Sequence, residues 1–168
     1  MNIYSYIVLN TYKTIPFIIT LILSIVAVSP IMPSSSQEIT PLLGVISLSF
    51  WILYKPELMG WTATIIIGIF NDALYGTILG VSCLSGIMIR MVIIKFLQSK
   101  DYINIYITFL CIGFSLIIWL IVNSIINYIL YPYLYNYYIL IFQFFVSLVI
   151  SPIIVFVQLF LLKKMYIS

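Results

Sequence analysis

The chain has 168 residues, 64% of them hydrophobic, with seven Lys or Arg, four Asp or Glu and no His, and its mean hydropathy is +1.25. A soluble core of this size has nowhere to hide so much apolar surface, so the composition points to lipid as the solvent. The absence of His also excludes Ser–His hydrolysis and His-based metal sites.

A helix needs about 20 mostly apolar residues to cross the hydrocarbon core of a bilayer. Six such stretches follow one another, near Ile15–Met32, Ile39–Tyr54, Met59–Thr77, Leu79–Leu97, Ile103–Asn127 and Tyr138–Leu162. They take up most of the chain, so residues 1–168 are expected to form one all-α integral membrane domain, a compact bundle of six transmembrane helices. The first run resembles a retained span more than a removed signal, because Pro30 would follow the only plausible cleavage point, Ala27-Val28-Ser29. Short connections make consecutive spans antiparallel neighbours.

Orientation follows from the cations, since cytoplasmic loops collect Lys and Arg. In a six-span arrangement Lys13, Lys55, Arg90, Lys95, Lys100, Lys163 and Lys164 all fall on one side, while Glu38, Asp72 and a tyrosine-rich run lie toward the other. Both termini are therefore expected in the cytoplasm. The run Y-I-L-Y-P-Y-L-Y-N-Y-Y, residues 128–138, is read as an interfacial aromatic belt on the outer face.

Pro16 and Pro152 fall inside apolar runs and are expected to kink or begin helices, whereas Pro56 marks the turn into the third span. Cys83 and Cys111 lack the spacing of a metal or redox motif and read as small apolar filler. Asn123, Ser124, Asn127, Gln143, Ser151 and Gln158 read as polar glue between helices.

The third span carries the most distinctive pattern. Gly60, Thr64, Gly68, Asp72, Gly76 and Gly80 recur at every fourth residue, the spacing of a ridge on a helix. Small residues there let a neighbouring backbone approach closely, in a solvent that offers helices no hydrophobic drive to associate. The expected result is a tight seam, within the bundle or against another protein.

Asp72 occupies a place on that ridge about 20 Å into its span at 1.5 Å per residue. A carboxylate at such depth faces the bundle interior and finds a partner. Three arrangements are open: a pair with Arg90 on the fourth span, a local cap on backbone N–H groups where the helix breaks, or contact with a partner protein. Arg90 in turn either reaches Asp72 or extends to the headgroups beside Lys95. Catalysis by Asp72 would need a second titratable group, and only Glu38 lies toward the same face. The sequence therefore points away from an enzyme and calls for no cofactor or metal.

The run F-W-I-L-Y-K-P-E-L-M-G-W-T-A-T-I-I-I-G-I-F-N-D-A-L-Y-G-T-I-L-G, residues 50–80, resembles the signature of the bacterial rod shape-determining protein MreD family. Pro56 stands at the turn, and Gly68, Asp72, Gly76, Leu79 and Gly80 match a G-x-x-x-D-x-x-x-G-x-x-L-G pattern. Outside this region the resemblance is one of size, hydropathy and short loops. It implies a non-catalytic inner-membrane subunit of the rod complex that binds the bitopic protein MreC, and through it the MreB cytoskeleton and lateral-wall peptidoglycan synthases. It also implies a fold similar to the substrate-binding subunit of energy-coupling-factor transporters, and hence a rival function as a vitamin-type transporter subunit. Neither function involves nucleic acid.

Overall fold

The computed structural model describes residues 3–29, 40–98, 104–130 and 137–167, and these are helical apart from turns and short links. Six helices follow in chain order: α1 (Ile3–Val28), α2 (Leu43–Tyr54), α3 (Trp61–Tyr75), α4 (Val81–Leu97), α5 (Ile105–Leu130) and α6 (Tyr137–Ile167). Each apolar run carries one helix. Two of them, over Ile105–Leu130 and Tyr138–Met165, are long and apolar enough to cross a membrane. Residues 131–136 of the tyrosine-rich run, and Glu38, lie outside the described residues.

The centre of the bundle is α2. Its sequence, L-G-V-I-S-L-S-F-W-I-L-Y, has no polar face, and every residue from Leu43 to Leu53 is buried. A helix apolar all round must be enclosed on all sides. α1, α4, α5 and α6 enclose it, with α3 packed outside against α1 and α4. Consecutive helices are neighbours, as expected, except α2 and α3: the turn between them carries α3 to the periphery.

Polar contacts fix the directions. Thr20 Oγ1 and Ser47 Oγ lie 2.9 Å apart, which sets α1 against α2. The Leu42 N–H donates to Ser147 Oγ at 3.0 Å, and Gln158 Nε2 donates to Ser47 Oγ at 2.5 Å, so α6 runs parallel to α2. Tyr54 Oη and Thr108 Oγ1, 3.0 Å apart, set α5 antiparallel to α2. The Gln158 bridge is the glue between helices expected of that residue.

The second span expected from the sequence is longer than α2. The twelve residues of the helix rise only about 18 Å at 1.5 Å per residue. The missing length is non-helical: Thr40, Pro41 and Leu42 approach α2 as irregular backbone. That backbone is satisfied by α6, where Gln143 Nε2 donates to the Thr40 carbonyl at 2.9 Å and Ser147 accepts from Leu42. Buried irregular backbone needs such partners for its polar groups. α1 is correspondingly longer than expected, starting at Ile3, so Pro16 lies within it rather than at its start. Pro152 lies within α6, where Ser151 Oγ donates to the Leu148 carbonyl that the proline leaves without an N–H.

Apolar residues fill the core and also cover the outside, while many polar side chains are drawn inward. Buried side chains include Thr20, Ser24, Ser47, Asn71, Asp72, Asn123 and Gln158, while the outer faces present Ile66, Met88, Phe114, Phe145, Val149 and Phe156. Contiguous apolar surface of this extent is not what a water-exposed monomer carries.

Candidate functional site

α3 and α4 form a tightly closed hairpin, and the fourfold spacing of small residues divides into two distinct jobs within it. Thr64, Gly68 and Asp72 are buried along α3. Gly68 has no room for a side chain: a Cβ there would lie 2.6 Å from Cys83 Cα and 2.7 Å from its backbone nitrogen. Gly86 repeats the arrangement from the other side, since a Cβ on it would stand 3.0 Å from Thr64 Cγ2. The seam is therefore internal, α3 against α4, and Gly86 belongs to it although the fourfold spacing does not single it out. Gly44 on α2, where a Cβ would collide with Ser24 Oγ of α1, is a second close approach outside that spacing.

The expectation of one ridge from Gly60 to Gly80 needs correction. α3 ends at Tyr75, because Gly76 turns left-handed at φ 65° and closes the helix with its N–H on the Asp72 carbonyl. Gly80 is left-handed too, at φ 106°, and starts α4. These two glycines shape the turn, where an L-residue with a Cβ would be strained. Nothing lies within 4 Å of where a Cβ would stand on either. Gly60 precedes α3, and its carbonyl accepts from the Thr64 backbone and hydroxyl. Leu79 sits at the tip of the turn, 70% exposed.

Asp72 explains how the turn is held. Its Oδ2 accepts the Gly80 N–H at 2.6 Å, and its Oδ1 accepts the Ser82 N–H at 2.9 Å and the Thr77 hydroxyl at 3.0 Å. The first N–H groups of a helix have no partner within it, and α4 has no side-chain cap of its own at Gly80. Asp72 supplies that cap from the preceding helix, with its negative charge at the positive end of the α4 dipole. Capping is thus the arrangement found, and the cap is on the following helix rather than on α3 itself.

Arg90 does not meet Asp72. Buried against the start of α3, it donates to the carbonyls of Met59 and Pro56, the latter at 3.2 Å from Nη2, and its guanidinium lies 5.0 Å from the centre of the Trp61 ring. Pro56 lies in the turn from Lys55 to Met59, where the N–H groups of Leu58 and Met59 point back to the Lys55 carbonyl. That geometry leaves the two carbonyls for Arg90. The ion pair expected between Arg90 and Asp72 gives way to this closer set of acceptors. Asp72 and the Arg90 acceptor Met59 are thirteen positions apart, about 20 Å along the helix. The two charged residues therefore staple opposite ends of α3.

Separate partners imply separate energies. Asp72→Ala and Arg90→Ala should each lower the melting temperature in detergent, and their stability losses should add to within about 0.5 kcal/mol. A coupling energy above about 1 kcal/mol would mean that the two residues interact.

Family models, curated proteins and solved structures give no match to this chain.

The remaining chemistry of the site is sparse. Among the described residues no group of three or more His, Cys, Asp or Glu side chains comes together. Both cysteines are free thiols; Cys83 Sγ donates to the Ile65 carbonyl at 3.2 Å, which adds to the α3–α4 seam. Asn123 Nδ2 reaches Ser85 Oγ at 3.3 Å and ties α5 to the same hairpin. What the arrangement does chemically is hold three helix segments in a fixed mutual position.

Proposed function

We propose that the chain lies in the bacterial inner membrane with all six helices spanning it and both termini cytoplasmic. In this reading it serves as a non-catalytic subunit of the rod complex. It binds an MreC-type bitopic protein and, through it, helps to organise MreB and the lateral-wall peptidoglycan synthases. The observation that carries the reading is the Gly68–Gly80 stretch. Four of the residues through which the chain resembles the MreD family (Gly68, Asp72, Gly76 and Gly80) each have a defined part in closing the α3–α4 hairpin. In this reading the shared pattern is a device for building a rigid membrane scaffold.

Membrane insertion is supported by the wide apolar outer surface of Ile, Phe and Met, with hydroxyls and amides drawn inside among the core residues. Sidedness is supported by charge. The C-terminal ends of α2, α4 and α6 carry Lys55, Lys95, Lys163 and Lys164, and these helices run in the same direction. Cytoplasmic placement of that end follows the positive-inside rule. The rival reading, a transporter's substrate-binding subunit, needs a small-residue face free to couple to ATPases. On α3 that face is already covered by α4.

Purification of the tagged protein from gently solubilised native membranes, with co-purifying proteins identified by mass spectrometry, tests the reading. The expected result is an MreC-type protein together with wall synthases. Recovery of transporter ATPases in their place would overturn it.

A further inference from the structure

One end of the bundle is a basic surface. Among the described residues Lys55, Arg90, Lys95, Lys163 and Lys164 share it, and the one acid in that company is Glu57. Lys95, Lys163 and Lys164 are exposed. Arg90 adds a charge that is spread over neutral groups, the carbonyls of Pro56 and Met59 and the ring of Trp61. Trp61 is itself exposed. An exposed indole stacked on a guanidinium is an interfacial anchor, with its ring toward the acyl boundary and the cation at headgroup level. The opposite end, where Asp72 closes the hairpin, has no Lys or Arg among the described residues.

We propose that this basic end is a binding surface for the phosphates of anionic phospholipids. The inference rests on the membrane reading above but not on the rod-complex partners. The occupant is fixed by complementarity. Among the described residues, five cations against one acid leave an excess of positive charge at the base of an apolar bundle, at the depth marked by Trp61. Such a surface matches acidic headgroups and offers zwitterionic ones no net attraction. Acidic lipids collected there screen the mutual repulsion of the cations and so stabilise the folded bundle.

The test compares the full-length protein in nanodiscs of phosphatidylcholine with and without phosphatidylglycerol, by melting temperature and by lipid retained in native mass spectrometry. Phosphatidylglycerol should raise the melting temperature by about 5 °C or more and should be the lipid retained. Lys163→Gln/Lys164→Gln alters only exposed side chains. It should melt as the parent does in phosphatidylcholine and lose a measurable part of the gain. Equal melting in both lipids, or an undiminished gain in the double variant, overturns the proposal. So does inorganic phosphate reproducing the gain in phosphatidylcholine discs, which would assign the site to soluble anions. Failure to enter discs of either composition would instead sink the membrane reading, and this inference with it.

Discussion

Gly68→Leu should leave the α3–α4 hairpin unable to close and should cost about 3 kcal/mol or more of stability. The reason is the nature of the obstacle. A Cβ at this position meets the Cα and backbone nitrogen of Cys83 at 2.6 and 2.7 Å, and backbone cannot rotate away as a flexible side chain can. Relief requires the two helices to separate, which also pulls Gly86 from Thr64 and draws Ser82 from the Asp72 carboxylate. Gly68→Ala should already show much of the effect. Gly113→Ala is the control, because nothing lies within 4 Å of its added Cβ and alanine favours helix over glycine. Thermal unfolding in detergent, followed by circular dichroism, reads all three. A Gly68→Leu protein that melts within about 1 kcal/mol of the parent would show that this contact does not set the hairpin.

Asp72→Ala should be the second severe lesion, at about 3 kcal/mol or more, because it strands three donors at once, one buried and two half-buried, and an unpaired group costs about 1–3 kcal/mol when fully buried. Asp72→Asn should fall between Ala and the parent. One oxygen remains to accept from Ser82 and Thr77, but the amide N–H₂ must then face the Gly80 N–H, donor against donor. Thr77→Val removes one neutral partner and should cost about 1 kcal/mol. The order Ala, then Asn, then Thr77→Val is the signature of a cap with three bonds. Should Asp72→Ala prove no worse than Thr77→Val in the same melting experiment, the cap is not what holds the turn. In the purification experiment, a loss of partner proportional to the loss of folded Asp72→Ala protein marks a structural role. A folded variant that recovers no partner marks direct contact.

The parts legible in the sequence are those governed by local rules. Apolar runs long enough to be helices become six helices, and glycines near the ends of runs become turns. An acid at depth announces a polar bond, and capping is among the bonds open to it. What escapes is the rotational phase of one helix against another. Counting residues along the helix axes brings Arg90 within reach of Asp72, yet the chain offers Arg90 two turn carbonyls and an indole ring instead. Backbone acceptors of that kind have no mark in a sequence. The ridge is overextended for a related reason. A spacing of four is the same whether a glycine sits in a seam or in a turn, and only the positive φ of Gly76 and Gly80 separates the two. The central place of α2 is hidden by composition. An all-apolar helix stands out among amphipathic ones, but here every helix is apolar.

That central place has a consequence for how the protein is made. α2 leaves the ribosome well before α6, yet groups that receive it come from α6. Leu42 bonds Ser147, Thr40 bonds Gln143, and Ser47 bonds Gln158. Synthesis proceeds at about 5–20 residues per second, so α2 waits several seconds for its lining. In the membrane reading proposed above, the irregular backbone at residues 40–42 lacks its α6 partners throughout that time. α6 therefore completes the seat of α2, and a chain cut short before α6 should fail to close the bundle rather than form a smaller version of it.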